Sequence, residues 1–139
     1  MKKAARLLTL ITVCGVLFFS SCTKDDGTDP DDPTADDQTK FKGNWAVSEV
    51  SKDFGSSTYN LTIADSSNAS YVLIAYLYRF RKKTYATVNG NSMTIPTQII
   101  EGNEVSGNGT LENSKRISLK YFVKSTKTHY DTVTAVLTK

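Results

Sequence analysis

Cysteine, histidine and tryptophan are scarce in this 139-residue chain, with two, one and one of each. Cys14 lies inside the apolar stretch Leu7 to Phe19 and Cys22 follows just after it, so no cysteine pair remains further along to form a disulfide. Any fold downstream must rest on its core alone. His129 has no second histidine or nearby cysteine, so zinc-ligand spacing is absent and no metal site is expected. A nucleophile elbow, a phosphate-cradling glycine loop and a dinucleotide glycine pattern are also missing. Glu101 and Glu104 are closely spaced carboxylates, but a solvated loop is their expected setting, and that suits neither role of a catalytic pair. These absences argue against an enzyme, and no cofactor is expected. The apolar stretch of about 13 residues falls short of the ~20 that a membrane-spanning helix needs.

What is present at the start has the order of an export signal: Lys2, Lys3 and Arg6, then the apolar stretch, then Ser20-Ser21 before Cys22. Phe19-Ser20-Ser21-Cys22 resembles a lipobox, with phenylalanine where leucine is usual. The resemblance implies cleavage before Cys22 and a lipid anchor on that cysteine, each buried acyl methylene contributing about 0.8 kcal/mol to membrane attachment. Lys24-Asp25-Asp26 looks like the acidic surface-export signal of Bacteroidota lipoproteins, with Thr23 intervening after the cysteine. That likeness implies a protein on the outer membrane facing the cell exterior.

Between Thr23 and Lys40 seven aspartates oppose two lysines, with Pro30, Pro33 and Gly27 interspersed. Almost nothing there can be buried, so the segment is expected to be an extended tether. From Phe41 onward the balance reverses to a net charge of +5. The expected organisation is a signal peptide over 1–21, an anchored acidic tether over 22–40 and one small domain over 41–139.

In that domain the apolar period is two. Tyr59, Leu61 and Ile63 alternate with polar residues, as do Ile117, Leu119, Tyr121 and Val123. Asn89-Gly90-Asn91 supplies hairpin chemistry between two such runs. The pattern predicts eight strands, near 44–51, 57–64, 70–80, 84–89, 92–100, 104–111, 116–124 and 129–138. Short connections make them an antiparallel up-and-down meander, and a sheet of this kind must close or cover its edges. Pro96 predicts a bend or bulge in the fifth strand. The fold class is therefore all-β, with full closure of the barrel left open by the short chain.

Gly43-Asn44-Trp45 resembles the Gly-x-Trp signature of lipocalins. The acidic tether and the run Ala86 to Pro96 resemble small lipocalin-like lipoproteins of Bacteroidota. The resemblance implies a small barrel with Trp45 at its floor and an arginine near the last strand capping it, but no arginine lies there and Arg116 is one strand too early. Alternation places Trp45 and Val47 on one face, with Leu61, Leu119 and Tyr121 as expected core or ligand-lining neighbours.

Tyr71 to Phe80 is apolar on both alternating faces, which predicts either a covered strand or exposed aromatics, with Tyr76, Tyr78 and Phe80 as a surface. Arg79, Arg81, Lys82 and Lys83 crowd the next turn. Aromatic and basic residues together can bind nucleic acid, but an exported protein seldom meets it, so anionic headgroups or acidic glycans fit better. Asp131-Thr132-Val133 looks like the short O-glycosylation pattern of exported Bacteroidota proteins, with Thr132 as acceptor. Two functions follow as expectations. One is a non-enzymatic binding module for an apolar or amphipathic small molecule. The other is a protein-interaction module, such as an adhesin-like subunit or an enzyme inhibitor, presenting an exposed patch. The membrane, through Cys22, is a partner in both. Replacing Cys22 with alanine is expected to move the protein from the detergent to the aqueous phase in a phase-partition assay; unchanged partition would place the anchor elsewhere.

Overall fold

Alternation of burial along each segment follows the alternation of side-chain character, so the chain folds as strands that share one interior. The computed structural model describes residues 35–68, 70–125 and 129–139. Cys22 and Lys24-Asp25-Asp26 lie outside them. The strands are β1 (Gly43–Ser51), β2 (Gly55–Asp65), β3 (Tyr71–Ala75), β4 (Thr84–Asn89), β5 (Ser92–Ile100), β6 (Asn103–Asn113), β7 (Arg116–Ser125) and β8 (His129–Thr138). Each pairs antiparallel with the next, and β1 pairs with β8 from Ala46↔Thr138 to Ser51↔Val133, giving a closed eight-stranded barrel. Closure is complete, so the sheet has no unpaired edge.

Two expectations are corrected. The strand predicted over 70–80 ends at Ala75. Tyr76, Tyr78 and Arg79 take left-handed φ values of 68°, 53° and 60°, around a short 3-10 turn at Leu77–Arg79. This turn lays Leu77 and Phe80 into the core. The run was apolar on both alternating faces because its second half covers one end of the barrel instead of continuing along its wall. The tether boundary also shifts: Ala35–Phe41 form a helix, α1, with Asp36 and Asp37 in the first turn and Lys40 in the last, matching the helix dipole. Phe41 is fully buried. The Gln38 side-chain amide donates to the carbonyls of Asn68 and Tyr71, and an Asp37 carboxylate oxygen accepts from the Gly90 amide at 2.9 Å. α1 therefore closes the end of the barrel opposite the Tyr76–Arg79 turn. Its composition hid this, since polar bonds hold it and only one large apolar side chain enters the core.

Trp45 lies in the wall just after this plug, 1% exposed, and pairs in register with Leu61. Its indole Nε1 donates to the Phe41 carbonyl at 2.8 Å. The cation over its ring is Lys139, with Nζ 4.3 Å from the centroid and also donating to the Lys42 carbonyl at 2.6 Å. The basic cap is thus a lysine directly after β8. Leu119 and Tyr121 belong to the same core, although Tyr121 sends its hydroxyl towards the other end.

Local chemistry sets the irregularities. The β5–β6 register shifts between Ile95 and Gln98, around Pro96, which has no N–H to give to a ladder. The Gln98 amide repairs the β4 side by accepting from the Tyr85 N–H at 3.1 Å and donating to the Tyr85 carbonyl at 2.8 Å. At Gly107, opposite Tyr121, an added Cβ would stand 2.5 Å from the tyrosine Cβ, so the absence of a side chain is what lets that ring enter the lumen. Trp45→Ala is expected to lower stability by roughly 3–5 kcal/mol in denaturant titration, as for a large buried aromatic. The parent's emission should be that of a shielded indole.

Candidate functional site

Inward positions on β1 are Trp45, Val47, Glu49 and Ser51, and on β8 they are Asp131, Val133, Ala135 and Leu137. The α1 end of the lumen is apolar, whereas the far end carries two buried carboxylates. Ionised carboxylates can be buried only with their lone pairs occupied. Glu49, 5% exposed, accepts from the Ser57 hydroxyl at 2.9 Å on one oxygen and from the Tyr59 and Tyr121 hydroxyls at 2.8 and 2.6 Å on the other. Asp131, 2% exposed, accepts from the hydroxyls of Ser51 and Tyr78 at 2.6 and 2.7 Å and from the Asp53 amide at 3.3 Å.

The two clusters join through Tyr59, whose hydroxyl accepts the Tyr78 amide at 3.0 Å. Among the described residues only the Thr84 hydroxyl is a buried side-chain polar atom without a hydrogen-bond partner. Both carboxylates are therefore satisfied internally, while the Thr84 hydroxyl, at the same end, is not.

Burial, reinforced by the neighbouring carboxylates, pushes the phenols of Tyr59 and Tyr78 above their ordinary value, so they stay neutral donors. For Tyr121, burial followed by the Tyr59 and Glu49 contacts acts in the same direction. At Asp131 burial alone would raise the carboxyl. The hydroxyls of Ser51 and Tyr78 and the amides of Asp53 and Lys52 outweigh it and hold the group below the ordinary aspartate value. An aspartate so engaged is a positioning group. Through Ser51, whose hydroxyl also accepts from the Asp53 and Phe54 amides at 3.1 and 2.9 Å, it fixes the β1–β2 turn.

Above this network a cleft of about 510 Å³ opens at the rim, with Glu49, Ser57 and Tyr78 below and Phe54 and Arg79 at the lip. Phe54 stands edge-on to Tyr78, ring centres 6.3 Å apart, and the Arg79 guanidinium lies 5.5 Å from the centre of the Tyr59 ring. Other clefts, of about 460 and 420 Å³, run mainly along outward-facing residues of β6, β7, β8 and β1 and of β1 and β2.

The proposed aromatic surface does not form as a unit. Tyr76 is exposed, Tyr78 is half-buried against Asp131, and Phe80 is 7% exposed in the core. The turn removes them from the alternation that would have aligned them. Arg81, Lys82 and Lys83 are exposed, the first two anchored by backbone amides donating to Glu101 at 2.7 and 2.9 Å. Thr132 points outward from β8, half-buried opposite Phe122. On the same outer wall Lys120 lies over Phe122 and Lys124 over Tyr130, ring distances 5.7 and 5.0 Å. His129 pairs with Asp53 at 2.7 Å, and no grouping among the described residues has the His, Cys, Asp or Glu side chains to hold a metal ion.

Sequence reading singled out neither Glu49 nor Asp131 as an interior group. Their signal was phase: Glu49 falls in step with Trp45 and Val47, and Asp131 with Val133 and Ala135.

No family model matches the chain, and no curated protein does. Among solved structures it is similar to a redesigned β-barrel, at 12% identity and a TM-score of 0.53, covering 74% of this chain and 94% of that one. The likeness is one of fold.

Because the Asp131 carboxyl is held below its unfolded value of ~3.9, its contribution to stability is complete above that value and is lost as pH falls through the lower folded value. Asp131→Asn is expected to cost roughly 1–3 kcal/mol at neutral pH, the range for hydrogen bonds to a charged group. The difference between parent and variant should shrink as thermal unfolding is followed from neutral pH to below pH ~3.

Proposed function

We propose that this chain is a lipid-anchored, non-enzymatic barrel of the cell envelope that engages an extracellular partner through its outer surface and far rim. The observation that carries this reading is the occupied lumen. Phe41, Trp45, Tyr121 and the other inward side chains pack as one cluster, while Phe54, Tyr76, Ile99 and Tyr130 stand exposed. The clefts described above lie outside the wall or at the rim. An apolar small molecule held inside would have to displace part of this core. That favours the interaction module over the apolar-ligand module.

Anchoring on Cys22, display at the cell exterior and modification of Thr132 belong to the same proposal and rest on the sequence resemblances. α1 adds a geometric argument for display: the chain enters the barrel at the plugged end, opposite the β1–β2, β3–β4 and β5–β6 connections.

Titration of the full chain with a fluorescent fatty acid, read through Trp45 emission, is expected to give no saturable response. Protease added to intact cells should digest the barrel. Saturable, competable quenching of Trp45 would restore the lumen as the binding site, and full protection from protease would remove the surface reading.

A further inference from the structure

The rim cleft has a chemistry that selects among partners. Its floor and walls carry hydroxyls from Ser56, Ser57 and Thr58. Its lip carries Phe54, 77% exposed, a large aromatic held out of the core by the turn that Ser51 and Asp131 fix. Opposite is Arg79. Lys40, Lys42 and Arg116 each pair with a carboxylate on the surface, whereas Arg79 pairs with none among the described residues. Its guanidinium lies 5.5 Å from the centre of the Tyr59 ring, and the residue is exposed, so its N–H donors are open to a ligand.

The backbone that presents Arg79 is unusual. Tyr78 and Arg79 both hold left-handed φ, a region that non-glycine residues seldom occupy. Three bonds hold it: Arg79 N–H to the Tyr76 carbonyl at 2.9 Å, Phe80 N–H to the Leu77 carbonyl at 3.0 Å, and Tyr78 N–H to the Tyr59 hydroxyl. Such conformations tend to persist where the surroundings fix a side chain in a required place. Lys52, Arg81, Lys82 and Lys83 stand exposed on the same rim, while the nearby acids are engaged, Asp53 with His129 and Glu101 with backbone amides. Glu49 lies in the cleft floor, so attraction for an anion is local to Arg79 at the lip.

We propose that this cleft binds a carboxylated saccharide, a deepening that rests on the rim-binding reading above. A sugar ring offers an apolar C–H face to Phe54 and hydroxyls to the serine and threonine wall. A uronate-type carboxylate matches the fork of Arg79 in the bidentate geometry for which arginine is suited. A cleft of about 510 Å³ falls within the usual size of small-ligand sites. Polyol hydroxyls and an aromatic platform together distinguish this chemistry from a bare phosphate site.

The test uses the full chain in detergent with three probes: oligogalacturonate, oligomannuronate and hyaluronan oligosaccharides, each beside its carboxyl-reduced neutral form, read by calorimetry. At least one acidic probe should bind saturably and lose about tenfold or more in affinity on carboxyl reduction, on Arg79→Gln and on Phe54→Ala. Arg79→Lys, which keeps the charge and loses the fork, should fall between parent and Arg79→Gln. Lys115→Gln, at the α1 end of the barrel, should bind as the parent does. Circular dichroism and unfolding midpoints check that the variants fold; both rim side chains are exposed, so their loss should leave the midpoint unchanged. The proposal is overturned by no saturable binding of any acidic probe at millimolar concentration, by binding that survives both rim variants, or by binding that weakens as much in Lys115→Gln. Absence of saccharide binding with a silent Trp45 titration removes the saccharide and keeps the rim reading, whereas a saturable Trp45 response removes the rim reading itself.

Discussion

Closure of β8 onto β1 imposes the condition that the rest of the protein satisfies. Once Ala46 to Ser51 pair with Val133 to Thr138, the interior is a tube with two open ends and no edge through which the sheet could recruit another strand. Every inward residue must then be apolar or internally bonded, and each end needs a cover. The chain provides two different covers. At one end α1 places Phe41 over Trp45, and Lys139 lies over the indole from outside. At the other the left-handed turn at Tyr76–Arg79 drops Leu77 and Phe80 onto the core.

The two ends are held by different physics. The α1 end is mainly a packing problem, in which burial of large apolar side chains dominates and the polar bonds of Asp37 and Gln38 orient the plug. The far end is an electrostatic one. Two carboxylates there would be costly to bury alone, and six hydroxyl and amide partners make the arrangement tolerable. Such a network is sensitive to the loss of any one member, because the remaining groups are then buried without a partner. It also gives rigidity where the barrel has least apolar packing to offer, and so fixes the turns that carry Phe54 and Arg79. Stability and a pre-formed rim have the same origin here.

That link is what lets a filled barrel fit the proposed binding role. The core is spent on closing the tube, and what remains for recognition is the rim and the outer wall. The rim has an aromatic at its lip, a cation that pairs with no carboxylate among the described residues and a wall of hydroxyls. The outer wall has the Lys120–Phe122 and Lys124–Tyr130 stacks. Of these, the rim alone is pre-organised by buried bonds.

Eight strands, their order and nearly all their limits were legible in the sequence, because a wall with one wet and one dry face writes a period of two into every strand. Pro96 announced its bulge, since a missing N–H is a property of the residue itself, and Trp45 announced its depth by sharing a phase with Val47. Other features depended on partners far along the chain. Nothing local says that residues 35–41 form a plug, because Asp37 and Gln38 look like tether residues until Gly90, Asn68 and Tyr71 are brought to them. The break after Ala75 was hidden by a continuing run of apolar residues whose destination, the mouth of the tube, exists only once the tube is closed. Glu49 and Asp131 stood in phase with the core, yet whether an inward carboxylate is a defect or a keystone depends on hydroxyls from β2, β7 and the Tyr76–Arg79 turn. The sequence by itself determined the wall. Tertiary structure decided how its ends are covered and which side chains meet at the rim, because those contacts join residues as far as 97 positions apart.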